Sequence, residues 1–177
     1  MPERLTITLA GPDDAAYIGR IYDQGIDDGT ATFATGPHTG QERRRWLAAR
    51  PANAPVFCAH YDGSRVGWSG LAPFSHRPWY AGVAEYTVYV ARDARGLGVG
   101  GTLLDHLLAV ASDYGYWKLV GMILADNPAG LRLALAHGFR TVGTHVAHAT
   151  LDDRWRDVTL VERHLIVPGG GASTSVG

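Results

Sequence analysis

A run of β-forming residues that ends near Ala91 is followed by Arg92-Asp93-Ala94-Arg95-Gly96-Leu97-Gly98-Val99-Gly100-Gly101, and then by an amphipathic helix. No other stretch restricts the fold as tightly. A strand must deliver the chain to this turn and a helix must leave it. Gly96, Gly98 and Gly100 let the backbone approach a ligand closely. The helix start adds unpaired N–H groups and the positive end of its dipole, which suits a phosphate or pyrophosphate. The helix carries Leu103, Leu104, Leu107, Leu108 and Ala111 on one side, and Asp105, His106, Ser112 and Asp113 on the other. Gly96, Gly98 and Gly101 also satisfy the dinucleotide spacing of glycines at offsets zero, two and five. That reading is disfavoured, because Ala91 to Arg95 separate the strand from the first glycine. Nor does an acidic residue close a strand about 20 residues further on.

The flanking chain alternates strand and helix patterns. Leu5, Ile7 and Leu9 alternate with polar residues and predict a first strand. Pro12-Asp13-Asp14 opens a helix carrying Ala16, Ile18, Ile21 and Tyr22, and a second helix runs over about 41–50, stopping before Pro51. Strands are predicted over 56–61 and 66–71 around the hairpin signal Asp62-Gly63. A loop rich in Arg, His, Trp and Tyr spans 73–82. A strand over 83–91, helix over 98–114, strand over 118–124 and helix over 128–137 follow, and Gly138 ends the last helix. Closing strands are expected over about 140–148 and 155–166. The fold class is therefore α/β, with a mixed, mostly antiparallel sheet of six to seven strands and helices on both faces. At 177 residues a single domain buries roughly 70% of its unfolded surface, so one domain over 1–167 is expected. Residues 168–177, Gly- and Ser-rich with little to bury, are expected to form a disordered tail.

Arg95-Gly96-Leu97-Gly98-Val99-Gly100 resembles the acetyl-CoA signature of the GNAT N-acetyltransferase superfamily, in which Gln or Arg precedes glycines at the third and fifth positions after it. The likeness extends to the phosphinothricin and methionine sulfoximine acetyltransferase branch. It runs through Thr30-Ala31-Thr32-Phe33, Pro73-Phe74 with Arg77 and Tyr80, Glu85 leading into Val88-Tyr89-Val90, and Asn127. Gly138-Phe139, Arg154-Trp155 and Asp157-Val158 complete the set, in order, over roughly 4–165. The resemblance implies acetyl-CoA as co-substrate and transfer to the amine of a small amino-acid-like acceptor by direct attack in a ternary complex. Such an enzyme would serve detoxification or antibiotic or herbicide resistance.

Strands disfavour Glu, yet Glu85 stands among β-formers. Alternation places it with Thr87 and Tyr89 on one face, and Ala84, Tyr86, Val88 and Val90 on the other. A carboxylate on a solvated sheet face would look the same. Acyl transfer, however, needs a neutral nitrogen, whereas a free α-amino group has a reference pKa of about 8, so a nearby carboxylate can take its proton. The resemblance puts Glu85 on the family's proposed base. It also implies that Val88, Tyr89 and Val90 offer backbone groups to the pantetheine arm. The turn residues Arg95, Gly96, Leu97, Gly98, Val99, Gly100 and Gly101 would hold the diphosphate. Asn127 before Pro128 reads as a helix N-cap, and by resemblance also touches the coenzyme arm. Thr32, Phe33, Arg77 and Tyr80 are the implied acceptor pocket, with Arg77 as a clamp on a carboxylate or phosphinate. Seven residues beyond Asn127, where relatives often carry a His proposed to protonate the leaving thiolate, this chain has Ala134. No general acid is assigned.

With 16 Lys+Arg against 17 Asp+Glu, nothing points to nucleic acid or an anionic membrane as partner. The expected partner is a small-molecule amine, and a homodimer follows only by analogy with relatives. A single cysteine, Cys58, gives no internal disulfide, and neither a membrane span nor a signal-peptide pattern is present, so a cytoplasmic location is expected. Cys58 reads as a small buried hydrophobe. The eight histidines are scattered, with His145 and His148 expected on opposite faces of a strand, and no metal site is expected. The alternatives are another amine acceptor (a polyamine, an aminoglycoside or a protein N-terminus) and a coenzyme-binding module without catalysis.

Overall fold

The computed structural model describes residues 5–165. The tail 168–177 and the expected domain end at 167 lie outside them. The chain forms strands β1 (Leu5–Leu9), β2 (Val56–Tyr61), β3 (Ser64–Pro73), β4 (Val83–Val90), β5 (Lys118–Leu124), β6 (Arg140–Leu151) and β7 (Arg154–His164). They join in one sheet in the order β1-β2-β3-β4-β5-β7-β6. Every pair is antiparallel except β4 with β5. Helices α1 (Ala15–Asp28), α2 (Gly40–Ala48), α3 (Val99–Val110) and α4 (Pro128–Ala136) complete the fold.

Alternation along the strands decides which helix meets which face. Val56, Cys58 and Trp68 pack with Ile18 and Ile21 of α1. Phe57, Leu71, Ala84 and Leu119 point the other way, onto Leu104 and Leu107 of α3 and Ala134 of α4. Helices therefore cover both faces, as the sequence predicts. The α2 start carries a reciprocal cap that the sequence reading overlooks: Thr39 Oγ1 accepts from the Glu42 amide at 3.2 Å, and Glu42 accepts the Thr39 amide at 2.7 Å.

Local departures have local causes. The helix expected over 98–114 is α-helical only to Val110, and its last turn tightens to 3₁₀ before Gly115. His106, expected on the polar side of α3, instead lies edge-on against Phe57 at 4.6 Å between centroids. Strand β6 runs to Leu151 rather than stopping near 148. Asp152 and Asp153, both at positive φ (50° and 57°), turn the chain directly into β7. None of the helices described is long and apolar enough to cross a membrane.

Candidate active site

Strands β4 and β5 pair only at Val83–Lys118, Ala84–Leu119 and Glu85–Val120. Beyond Glu85 they diverge, although β4 continues to Val90 and β5 to Leu124. Each stays bonded to its outer neighbour, β4 to β3 and β5 to β7, so the opening has rigid sides. At its root the ring of Tyr86 lies over Gly121, where a Cβ would stand 2.5 Å from Tyr86 Cε1, and 4.9 Å from the Phe139 ring. Only glycine at 121 admits that ring. The backbone edge of β4 from Tyr86 onward faces the gap without a strand partner, a costly state in a sheet centre unless something else bonds to it.

A cavity of about 560 Å³ fills the opening. Glu85, Thr87 and Tyr89 line it, and so do Tyr86 and Val88 from the opposite side of the same strand. On β5 both Gly121 and Ile123, and Met122 and Leu124, contribute in the same way. Successive strand side chains point to opposite faces, so one cavity touching both sets passes through the sheet. On the α3/α4 side it reaches Asn127, Gly130 and Leu133. On the other side it is bounded by the segment Ala31 to Ala34 and by His148 and Ala149.

The glycine turn sits where β4 ends. Gly96 and Gly98 adopt φ of 82° and 81°, the left-handed region that other residues avoid. The first α3 hydrogen bond runs from the Thr102 amide to the Gly98 carbonyl at 3.1 Å. It leaves the amides of Val99, Gly100 and Gly101 without partners inside the helix. A Cβ at Gly100 would stand 3.5 Å from Leu133, a cavity residue, so the helix start adjoins the mouth on the α3/α4 side. The Arg95 guanidinium is anchored on Asp28 of α1 at 2.7 Å, and Arg92 grips the same carboxylate. Burial alone would raise the Asp28 pKa, but the two guanidiniums outweigh it and hold the carboxyl below its usual range. The turn is thereby fastened to the end of α1.

Glu85 is half-buried in the cavity wall, and burial pushes its pKa up from the ordinary carboxylate value. Beside it, Tyr89 stacks on Trp68 (5.0 Å, 17° between planes) and donates its hydroxyl to the Ala31 carbonyl at 3.0 Å. Tyr22 and Thr32 share a hydroxyl hydrogen bond of 2.7 Å, with the Arg43 guanidinium 4.1 Å above the Tyr22 ring. These contacts set Thr32 and Phe33 in the wall, where sequence reasoning expects them. Arg77 and Tyr80, expected beside them, are exposed on the β3–β4 loop, and the cavity does not reach them. Asn127 caps α4, its Oδ1 accepting from the Gly130 amide at 2.9 Å, and it also lines the cavity. Ala134 is fully buried. Burial pushes the Cys58 thiol up to about 12, which leaves it unreactive.

The expectation that His145 and His148 face opposite ways is overturned. The β6–β7 register shifts between His145 and Ala149, and Ala147 takes φ of 50° with its amide donating to Asp157 Oδ1 at 2.8 Å. This bulge turns both rings to the same side, where they stack 4.6 Å apart at 25°. His148, Met122 and Leu124 are wall residues that sequence reasoning does not single out. Alternation on β5 could have offered the last two, but no local signal marks the bulge.

Compared with known proteins, residues 24–139 match the model of the acetyltransferase (GNAT) family. The phosphinothricin N-acetyltransferase of Alcaligenes faecalis is 33% identical over 163 residues, covering 90% of this chain and 82% of that protein. An L-methionine sulfoximine/L-methionine sulfone acetyltransferase of Pseudomonas paraeruginosa is 28% identical over 162 residues, covering 90% and 94%. Among solved structures, the phosphinothricin acetyltransferase of Sinorhizobium meliloti in complex with acetyl-CoA superposes with a TM-score of 0.85 at 26% identity, covering 91% of this chain and 88% of that one.

Proposed function

The chain belongs to the GNAT family of acetyltransferases and is an acetyl-CoA-dependent N-acetyltransferase, and from that premise we propose that its acceptor is the α-amine of a small amino acid analogue such as phosphinothricin or methionine sulfoximine. The observation that carries this reading is the cavity that crosses the sheet beside Glu85. It lets two substrates enter from opposite faces and meet between β4 and β5.

The residues present fit the coenzyme. The amides of Val99, Gly100 and Gly101, at the positive end of α3 after the Gly96 and Gly98 turn, suit its diphosphate. Arg95 and Leu97 shape that turn, Arg95 through Asp28. The unpaired edge of Val88, Tyr89 and Val90 suits the amides of an extended pantetheine arm, with Asn127 at the α4 side of the same mouth. When bound, acetyl-CoA supplies a thioester carbonyl carbon open to attack. A backbone N–H of the β4 edge held near that carbonyl oxygen would stabilise the developing oxyanion, a donor commonly worth about 3 kcal/mol of barrier. Glu85, with its proton affinity raised by burial, takes the ammonium proton of the acceptor, directly or through one water, and leaves the nitrogen lone pair free. Thr32 and Phe33 hold the acceptor from the α1–α2 side, where Tyr22 bonds the Thr32 hydroxyl and Tyr89 donates to the carbonyl of the preceding Ala31. Thiols have a reference pKa of about 8.5, so the thiolate leaves without a donor at Ala134. Arg77 and Tyr80 are given no acceptor contact. This chemistry suits detoxification or self-resistance by a cytoplasmic enzyme with its domain over 1–167, and analogy with relatives supports a homodimer.

Thiol release from acetyl-CoA, measured over an amine panel, tests the reading. Turnover with phosphinothricin or methionine sulfoximine is expected to exceed that with polyamines or aminoglycosides, and double-reciprocal plots are expected to intersect. Preference for a polycation would overturn the acceptor assignment. Parallel plots would overturn direct transfer.

A further inference from the structure

Arg43 is 5% exposed, yet among the described residues no carboxylate lies within ion-pair reach of it, and its Nε has no hydrogen-bond partner. A long basic side chain on a helix ordinarily lays its stem over apolar neighbours and leaves its charge in water. Here the whole side chain turns inward from α2 and is covered by its own chain. Gly19 gives it room: a Cβ at that buried position inside α1 would stand 3.1 Å from Arg43 Cγ. Glycine weakens a helix interior, and a guanidinium without a carboxylate is unfavourable to bury. An apolar side chain at 43 would fill the same space without the second loss.

The guanidinium instead touches the fastenings of the cavity wall. Its Cζ lies 4.1 Å from the Tyr22 ring centroid, and the Tyr22 hydroxyl shares the 2.7 Å hydrogen bond with Thr32. Its Nη2 donates to His38 Nδ1 at 3.1 Å, and the His38 ring stands edge-on to Tyr22 at 5.7 Å. Residues 29–39 join α1 to α2 without helix or strand, and Thr32 and Phe33 within them line the cavity. This segment is tied near its start at Thr32 and near its end at His38. Arg43 lies against the anchor of the first tie and bonds the second directly. A ring beneath a cation is held in orientation by its charge distribution as well as by contact.

Resting on the reading that Thr32 and Phe33 hold the acceptor, we propose that Arg43 is a positioning residue of the acceptor wall. It braces Tyr22 and His38 together and so keeps Thr32 and Phe33 against the cavity. Removing its charge separates this role from a structural one. An apolar chain of similar length in place of a buried, unpaired charge leaves the fold as stable or more so, whereas the wall loses its brace.

The test uses whichever amine the wild type acetylates fastest, so it does not depend on that amine being an amino acid analogue. In Arg43→Met the KM for this amine is expected to rise roughly tenfold or more, since small misplacements of a positioning group carry penalties of that order. KM for acetyl-CoA is expected to stay put, and Tm not to fall. Arg43→Lys, which keeps a cation but not the planar fork, is expected to lie between the two. Tyr22→Phe, which keeps the ring and loses the Thr32 bond, is expected to raise the same KM, and to add little to Arg43→Met. An unchanged amine KM, or a fall in Tm with kcat and both KM values altered together, would overturn the proposal. Hydrogen exchange supplies a readout independent of turnover. The Ala34 amide donates to Thr32 Oγ1 at 3.2 Å and the His38 amide to Asp23 Oδ1 at 3.4 Å. Both are expected to exchange faster in Arg43→Met while the β2 and β3 amides do not. If the wild type acetylates no amine, the acceptor reading falls and the exchange result alone decides the role of Arg43. Unaltered exchange at Ala34 and His38 sinks it whatever the turnover.

Discussion

A carboxylate that serves as a base is useful because its surroundings penalise its charge, and Glu85 meets that condition at a cost to the fold. Burial is the only influence that moves its pKa, and it moves it up. The folded state therefore binds a proton more tightly than the unfolded chain does. Between the unfolded value and the raised folded value, stability falls as pH rises; above the folded value the penalty is complete and constant. Glu85→Gln removes that charge. The variant is expected to melt at a higher temperature than the wild type at pH 8, with the gap narrowing as pH drops through the raised pKa. Its kcat is expected to fall by roughly 100-fold or more, the usual contribution of a positioned base. Thermal melts across pH, paired with thiol-release rates, check both. A variant that is fast, or no more stable, would mean that Glu85 is a bystander. Cys58 provides the contrast. It is 1% exposed with its thiol pushed up to about 12, so Cys58→Ser is expected to keep full turnover, and the native protein to resist thiol-specific labelling. An acetylated Cys58 trapped by mass spectrometry would contradict direct transfer.

The two elements that make the site, the β4–β5 divergence and the α3 start, each depend on a glycine. Gly121→Ala would place a Cβ 2.5 Å from Tyr86, whose ring must then move into the cavity or break contact with Phe139. The expected result is a destabilisation of about 1–3 kcal/mol by overpacking, with weaker acetyl-CoA binding. Calorimetric titration alongside denaturant melts would measure the two effects separately, and unaltered affinity would show that Tyr86 does not set the width of the gap. The two elements also differ in how far the sequence discloses them. Gly96 to Gly101 announce a ligand-binding turn because left-handed φ and close backbone approach are local demands. The end of the β4–β5 ladder at Glu85 is not local: neither Val83–Val90 nor Lys118–Leu124 contains a residue that stops pairing, and Tyr86 and Gly121, which meet where the ladder ends, are 35 positions apart. The bulge at Ala147 is similarly hidden, since it depends on Asp157 across the hairpin, and with it the placement of His148. Arg77 is the reverse case: family likeness gives it a clamp on the acceptor, a role that depends on a ligand, while the chain alone carries it exposed on the β3–β4 loop beyond the cavity lining.

At the scale of the whole molecule the sheet is two blocks, β1 to β4 and β5 to β7, joined at the centre by a ladder three residues long on each strand. Helices cover both faces, yet the strand edges beyond that ladder have no partner across the gap. A ligand lying between β4 and β5 replaces the missing pairing and couples the blocks, so its binding energy acts on global stability. Acetyl-CoA at 100 times its Kd is expected to stabilise the fold by about 2.7 kcal/mol, since it binds the native state and not the unfolded chain. For a chain of this size that corresponds to a rise in Tm of roughly 5–10 °C. Mass action alone would give the same shift for binding anywhere on the surface, so location has to be read separately. Hydrogen exchange provides it: added acetyl-CoA is expected to slow exchange at the β4 amides beyond Glu85 that face the gap and at Val99 to Gly101. Exchange along β2 and β3, already paired on both sides, should change only as much as global stability does. Stabilisation of the expected size without local slowing at β4 would place the coenzyme elsewhere, and the cavity through the sheet would lose its assigned role.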